Sequence, residues 1–206
     1  MGNINRLIIS PHVDDDVLGC GGILDETCHV IYCGLDETGI PDRPSTKERI
    51  DEISSVQKIT NHTYTILDNL VNRYDEYKLI GQIEKAINID KPDEVYVCHP
   101  SYNQDHKAVY EASMIALRPH DKNHFVKRVL LYEQPQVYFW NTTGREFNAN
   151  YFVEIDIDKK IKVYEAMKSQ VRSFRSSEHL RANAKLRGGQ SNCDYAEAFE
   201  IIRWVD

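Results

Sequence analysis

The 206-residue sequence predicts an α/β fold in which helices cover both faces of a mostly parallel central sheet. The main observation is that short apolar runs rich in β-branched or aromatic residues alternate with longer segments of helical spacing. Strands that alternate with helices form parallel sheets, because each helix provides the crossover to the next strand. A second observation is that no Gly/Ser-rich linker and no internal repeat divides the chain. We therefore expect a single domain over residues 1–206.

The first half of the chain contains four predicted strands, at residues 6–9, 29–33, 63–67 and 93–98. Four helices are predicted among them, at residues 17–27, 46–60, 76–90 and 105–117. The helix at 46–60 has a capped start, because Ser45 precedes it and Glu48 follows three residues later. Gly19, Gly21 and Gly22 fall inside the first predicted helix, where glycine is unfavourable, so they indicate close packing against the sheet.

The second half predicts strands at 126–133 and 151–157 and a helix from about residue 158. An irregular loop is expected at 135–150, with aromatic-rich turns at Tyr138, Phe139 and Trp140 that either lie over a pocket or pack onto the core. Loops carry specificity in folds of this kind, so we expect the substrate to be selected by residues 35–46, 135–150 and 180–192.

Composition excludes several classes of protein. The chain has 25 Lys+Arg against 32 Asp+Glu, and its net charge of -7 disfavours binding to a nucleic-acid backbone. No apolar run approaches the 18 residues or more of a membrane span. The five cysteines are odd in number and show no disulfide or metal spacing, which indicates free thiols in a reducing compartment. With no signal peptide visible, we expect a cytoplasmic protein, and homo-oligomerisation stays open.

A first cluster of chemically active residues follows the first strand directly, in the segment SPHVDDDVLGCGG. Ligands bind beyond the carboxyl ends of strands in open α/β sheets. His12 and Asp15 are three residues apart on a turn that enters a helix, so both side chains can face one divalent metal ion. Asp14 would point elsewhere and can hold a water molecule. Two other interpretations remain open: the aspartates can cap the helix, or Asp14 and Asp16 can form the DxD motif of sugar-nucleotide transferases.

A second cluster follows the fourth strand, in the segment CHPSYNQDHKAV. His99, Asp105 and His106 lie within eight residues of one another, again where a strand leads into a helix. Adjacent Asp105 and His106 cannot both bind one metal ion well. Neutral imidazole suits zinc, so His106 is the expected ligand and Asp105 the carboxylate that orients a ligand.

Together these segments resemble the PIG-L/LmbE-like family of zinc-dependent N-deacetylases. PHVDDD followed by LGCGG resembles the family's [AP]HPDDE motif, and NQDHKAVYEA resembles its second motif, HxDH or NxDH followed by a helix. The C-terminal LRGGQSNCDYAEAFE is similar to the family's end segment. The resemblance spans most of the chain and implies a Rossmann-like three-layer sandwich.

The resemblance also implies roles for individual residues. The expected zinc ligands are His12, Asp15 and His106, although such a site also accepts Fe²⁺. Asp14 matches the general base that activates a metal-bound water, and Asp105 matches the carboxylate of the second motif. Asn103 stands where many members carry a histidine that stabilises the transition state. Arg49, in the segment RIDE, matches the residue that contacts the sugar.

The implied activity is removal of an N-acetyl or other acyl group from an amino sugar or a glucosamine-containing conjugate, and the implied partner is that small molecule. The sequence departs from the family pattern at Val13, Asp16 and Asn103. An amide at position 103 can donate a hydrogen bond to an oxyanion but cannot act as a general acid, so Asp14 would return the proton to the leaving amine. The alternatives are cleavage of another sugar-conjugate amide and a non-catalytic sugar-binding relative.

Overall fold

The computed structural model describes residues 5–36, 43–134, 140 and 145–206. Its seven strands form one sheet and are β1 (Arg6–Ser10), β2 (Cys28–Asp36), β3 (Thr63–Leu70), β4 (Glu94–Cys98), β5 (Arg128–Tyr132), β6 (Tyr151–Glu154) and β7 (Ala196–Trp204). The α-helices are α1 (Asp15–Cys20), α2 (Thr46–Thr60), α3 (Glu76–Asp90), α4 (Gln104–Ala116), α5 (Ile157–Glu165) and α6 (Ser177–Ser191). A short 3-10 helix spans Lys168–Gln170.

The strand order is β3-β2-β1-β4-β5-β7-β6. The first five strands are parallel to one another, and β7 runs antiparallel to both β5 and β6. The predicted class, an α/β fold with a mostly parallel sheet in a Rossmann-like sandwich, is therefore confirmed. The order reverses between β1 and β4, which are hydrogen-bonded neighbours. Open α/β sheets bind ligands at such a reversal, outside the carboxyl ends of the strands.

Helices cover both faces because the central strands are apolar on both sides. On β1, Leu7 and Ile9 face one buried cluster and Ile8 faces the other, as the two-residue period of a strand requires. The cluster around Leu7 is completed by α3 and α4. The cluster around Ile8 is completed by α1, α2, α5 and α6. Together these two layers hold the carboxyl ends of β1 and β4 in fixed positions.

Helix α1 is shorter than the predicted helix at 17–27, because it ends at Cys20. The backbone N–H of Gly22 leaves the helical pattern and donates to the carboxylate of Glu197 at 2.7 Å. A Cβ at Gly19 would collide with the ring of Tyr132, and one at Gly22 would lie 2.6 Å from Ile155. Glycine at both positions therefore permits the close contact with the sheet that the sequence suggests.

One other prediction about the second half is wrong, and one strand is not predicted. The sequence pattern does not predict β7, which buries Ala196, Glu197, Ala198 and Phe199 within the sheet. The expected loop at 180–192 is mostly helix α6, where Arg187 is buried and pairs with Glu133. The other two expected specificity loops include residues 37–42, 135–139 and 141–144, which lie outside the described residues. No described helix combines the length and apolar character that a membrane span requires.

Candidate metal centre

Two loops at the reversal of strand order build the candidate site. His12 follows β1, and Asp15 begins α1, while His106 lies in the first turn of α4 after β4. Because β1 and β4 pair directly, the loops after their carboxyl ends meet. His12 is partly buried, whereas Asp15 and His106 are almost completely buried. The structure thus brings together the three predicted ligands from two separate segments of the chain.

The three side chains converge through one atom each. Nδ1 of His12, Oδ2 of Asp15 and Nε2 of His106 form a triangle in which each pair of atoms is 3.2 Å apart. Ligand atoms at 2.0–2.1 Å from a tetrahedral metal ion are about 3.3 Å from one another. The donor set and its spacing therefore fit a divalent cation such as Zn²⁺ or Fe²⁺ without rearrangement.

Neighbouring groups hold both imidazoles in this orientation. Nε2 of His12 donates to Oδ2 of Asp105 at 3.0 Å, and the same oxygen accepts the backbone N–H of Asn72 at 2.6 Å. Nδ1 of His106 lies 3.0 Å from the hydroxyl of Ser101. Asp105 is only 1% exposed, so it lies behind His12 and acts through it. A carboxylate in this position fixes the tautomer and ring plane of a metal-binding histidine.

The loop between β1 and α1 is itself held by buried polar contacts. The hydroxyl of Ser10 donates to the carbonyl of His12 at 2.6 Å and accepts the N–H of Asp16 at 3.0 Å. The carboxyl group of Asp16 accepts the phenolic hydroxyl of Tyr32 at 2.9 Å. Gln134, two residues after the end of β5, donates to the carbonyl of Asp15 at 3.0 Å. These bonds fix the backbone from which the expected ligands project.

The two carboxylates beside His12 determine its charge. Burial alone would lower the pKa of His12, but hydrogen bonds to Asp105 and Asp15 raise the pKa to about 10. Burial would raise the pKa of Asp15, but the charges and hydrogen bonds of His106 and His12 hold it well below its usual range. At neutral pH the metal-free site therefore contains a protonated His12 beside an ionised Asp15.

We expect zinc uptake by the metal-free protein to release about one proton from His12, because a ligand nitrogen must be deprotonated. His12 stays protonated below a pKa of about 10, so between pH 7 and 9 the Kd for Zn²⁺ should fall about tenfold for each pH unit. Calorimetry in two buffers of different ionisation enthalpy measures the number of protons. The variant His179→Gln, at an exposed histidine of α6, should release the same number. Release of no proton would show that His12 is neutral before the metal binds.

Asp14 is not part of the triangle of ligand atoms. Its carboxylate forms an ion pair of 2.6 Å with Nη1 of Arg175, and both side chains are less than 10% exposed. Arg175 also donates to Oε1 of Gln170 at 2.9 Å. Burial opposes the charge of Arg175, but the carboxylates of Asp14 and Asp15 raise its pKa. Asp14 is thus held beside the expected ligands in one orientation.

A cleft opens above these groups, with a volume of about 650 Å³ counted out to its mouth. Asn103 and Arg49, which the sequence also identifies, line it together with His12, Asp14 and His106. Oδ1 of Asn103 accepts the N–H of Asp105 at 2.8 Å and so caps α4. Nη1 of Arg49 donates to the hydroxyl of Ser169 at 3.3 Å.

Several residues of the site are missing from the sequence interpretation. They are Arg43, Asn72, Ser101, Gln134, Arg172 and Arg175. Arg172 and Arg175 come from the segment after the 3-10 helix, far from the two motifs along the chain. Two arginines three residues apart are too common on protein surfaces to indicate a site. His99, by contrast, belongs to the second cluster of the sequence but is buried against Phe147 and lies outside the group of expected ligands.

The fold and the site define an α/β protein with a His–Asp–His constellation at the switch point of its sheet. The chain belongs to the PIG-L family, described as GlcNAc-PI de-N-acetylase, whose model matches residues 7–117. No curated protein matches its sequence significantly.

Solved structures share the fold at low sequence identity. A conserved protein of Thermus thermophilus, TT1542, is 20% identical with a TM-score of 0.80, and the match covers 98% of this chain and 96% of that one. The N,N'-diacetylchitobiose deacetylase of Pyrococcus horikoshii is 18% identical with a TM-score of 0.78, over 97% and 84% of the two chains. The 4-carboxy-2-hydroxymuconate hydratase GalB of Pseudomonas putida KT2440 is 20% identical with a TM-score of 0.71, over 98% of each. The fold therefore serves more than one reaction.

Proposed function

We propose that this protein is a metal-dependent hydrolase that removes an N-acetyl or other N-acyl group from an amino sugar or a glucosamine-containing conjugate. The observation that carries the proposal is the position of Asp14. Its buried carboxylate lines the same cleft as the His12–Asp15–His106 triangle without belonging to it. Such a carboxylate suits a general base. Family membership supports the same reaction class.

When bound, a Zn²⁺ or Fe²⁺ ion would supply a Lewis acid and make a water molecule more acidic. Asp14 accepts a proton from the attacking water and later delivers it to the amide nitrogen, so that a free amine and acetate leave. The amide of Asn103 donates a hydrogen bond to the carbonyl oxygen as negative charge develops there. Arg175 keeps the Asp14 carboxylate in place, and Arg49 contacts the sugar.

The five cysteines are all free, and Cys20, Cys28, Cys33 and Cys98 are buried. Free thiols are typical of reducing compartments, which supports a cytoplasmic location for the enzyme. The alternative functions are hydrolysis of a different sugar-conjugate amide and sugar binding without catalysis. A site that only bound sugar would have no use for an aspartate fixed beside a complete set of ligands.

The first test is the metal content of untagged protein purified without added metal, followed by a panel of N-acetylated amino sugars. We expect about one equivalent of zinc or iron per chain and release of a primary amine, detected by an amine-reactive fluorophore. Absence of metal, with no uptake on titration, would contradict the proposal. A metal-loaded protein that binds sugars without releasing an amine would favour the non-catalytic interpretation.

A further inference from the structure

The cleft has a positive wall in a protein whose net charge is -7. Four of its lining residues are arginines: Arg43, Arg49, Arg172 and Arg175. Among the described residues that line the cleft, only Asp14 and Asp15 carry carboxylates. Guanidinium groups near a site for a divalent cation oppose binding of that cation. Four arginines in one cleft therefore indicate a role other than metal binding.

Part of this positive charge is balanced within the protein. Arg175 pairs with Asp14, and Nη1 of Arg49 lies 3.9 Å from a carboxylate oxygen of Glu52. The carboxylate of Glu52 also accepts the N–H and the hydroxyl of Ser169, so its interaction with Arg49 is shared. These contacts account for the two buried arginines of the wall.

Arg172 is different, because it is exposed and its side chain makes no hydrogen bond or ion pair within the described part of the chain. Its backbone is held in place by a bridge to Arg175, whose N–H donates to the Arg172 carbonyl at 3.0 Å. Partial burial and the nearby guanidinium groups of Arg175, Arg43 and Arg49 lower the pKa of Arg172. Arg172 therefore places a positive charge, on a fixed backbone, beside three others.

We propose that the substrate carries an anionic group, a carboxylate or a phosphate, that Arg172 binds together with Arg43 at the mouth of the cleft. This inference rests on the proposed function and narrows its substrate class to acidic amino-sugar derivatives. A guanidinium binds a carboxylate or phosphate through two parallel N–H···O bonds, which a neutral sugar cannot replace. The exposed rings of Tyr102 and Phe174 line the same cleft and offer apolar surface to the sugar.

The test compares ligands that differ in the anionic group. Calorimetry is performed with glucosamine 1-phosphate, muramic acid and methyl glucosaminide, and turnover is measured with the three N-acetylated forms. We expect at least one acidic compound to bind about 10- to 100-fold more tightly than the neutral glycoside. Tighter binding of glucosamine 1-phosphate would indicate recognition of a phosphate, and tighter binding of muramic acid would indicate recognition of a carboxylate.

A phosphate or carboxylate can also bind a metal ion directly. Variants therefore distinguish the contribution of Arg172 to anion binding from that of the metal ion. Arg172→Gln should remove most of the preference for the acidic compound, and Arg172→Lys should restore part of it. Arg118→Gln, at an exposed arginine that pairs with Glu84 away from the cleft, should keep the full preference. In the metal-free variant His106→Ala, the acidic compound should still bind more tightly than the neutral one.

The outcomes of these experiments distinguish an error in the anion site from an error in the proposed deacetylase function. If neutral and acidic substrates are turned over equally and Arg172→Gln changes neither, the inference is wrong and the deacetylase assignment stands. If no compound releases an amine but acidic compounds bind through Arg172, anion recognition stands and the deacetylase assignment is wrong. A preference for acids that disappears in His106→Ala and persists in Arg172→Gln would assign the anion to the metal and overturn the inference.

Discussion

Asp14→Asn is expected to lower kcat by about 10²- to 10⁴-fold while the protein retains its metal ion. The substitution keeps the shape of the side chain, and its amide oxygen can still accept a hydrogen bond from Arg175. An amide cannot take up a proton, however, so the attacking water would lose its base. Metal analysis and amine-release kinetics on the same preparation measure the two effects separately.

Asp16→Asn is the matched control for this variant. Asp16 is fully buried, and burial together with the charges of Asp14 and Asp15 raises its pKa to about 8, against the opposing hydrogen bond from Tyr32. The group is therefore mostly protonated at pH 7, and replacing it with a neutral amide should leave most of the turnover. His106→Ala should lose both metal and turnover. Normal turnover in Asp14→Asn would show that the base is another group.

The largest expected effect on stability comes from Lys160→Met. Lys160 lies on α5 and Glu197 on β7, both side chains are almost fully buried, and their charged atoms are 2.5 Å apart. Lys160 also donates to the carbonyl of Leu18, and Glu197 accepts the N–H groups of Gly22 and Ile23. Removing one partner of a buried pair leaves an unpaired charge, which costs about 3–5 kcal/mol. Denaturant unfolding monitored by circular dichroism measures this loss.

Two further variants show whether the pairing causes the loss. Lys162→Met, at an exposed position two residues along the same helix, should change the free energy of unfolding by less than about 0.5 kcal/mol. The double variant Lys160→Met with Glu197→Gln keeps an acceptor for Gly22 and removes the unpaired charge. It should recover part of the lost stability. A single variant as stable as the unmodified protein would contradict the expected cost.

The sequence predicts the parallel half of the sheet because most of its strands contain a short apolar run, such as residues 95–98 of the fully buried β4. It does not predict β7, because Ala196–Trp204 mixes two alanines and two glutamates, which are poor strand formers, with apolar residues. The buried Glu197 is stabilised there by Lys160, a contact that no local pattern indicates. The end of α1 also depends on a residue distant along the chain, because the N–H of Gly22 donates to the carboxylate of Glu197.

The candidate site also contains residues that the sequence identifies and residues that it does not. His12, Asp15 and His106 can be identified because each belongs to a compact motif at the end of a predicted strand, and the strand order then brings the motifs together. The cationic wall cannot be identified from the sequence. Arg172 and Arg175 reach the cleft only through the packing of the segment between the 3-10 helix and α6. Their proposed roles depend on tertiary structure alone.

The place of β7 in the sheet has a consequence for synthesis on the ribosome. β5 and β6 both leave the ribosome before β7, yet β7 is inserted between them and is the strand with which β6 pairs. Until residues 196–204 emerge, β5 presents an open, apolar edge, and such edges promote aggregation in partly folded chains. The sheet therefore closes late, and a chain cut short before residue 196 would carry that open edge permanently. Such fragments would be targets for chaperones and proteases rather than partly active enzymes.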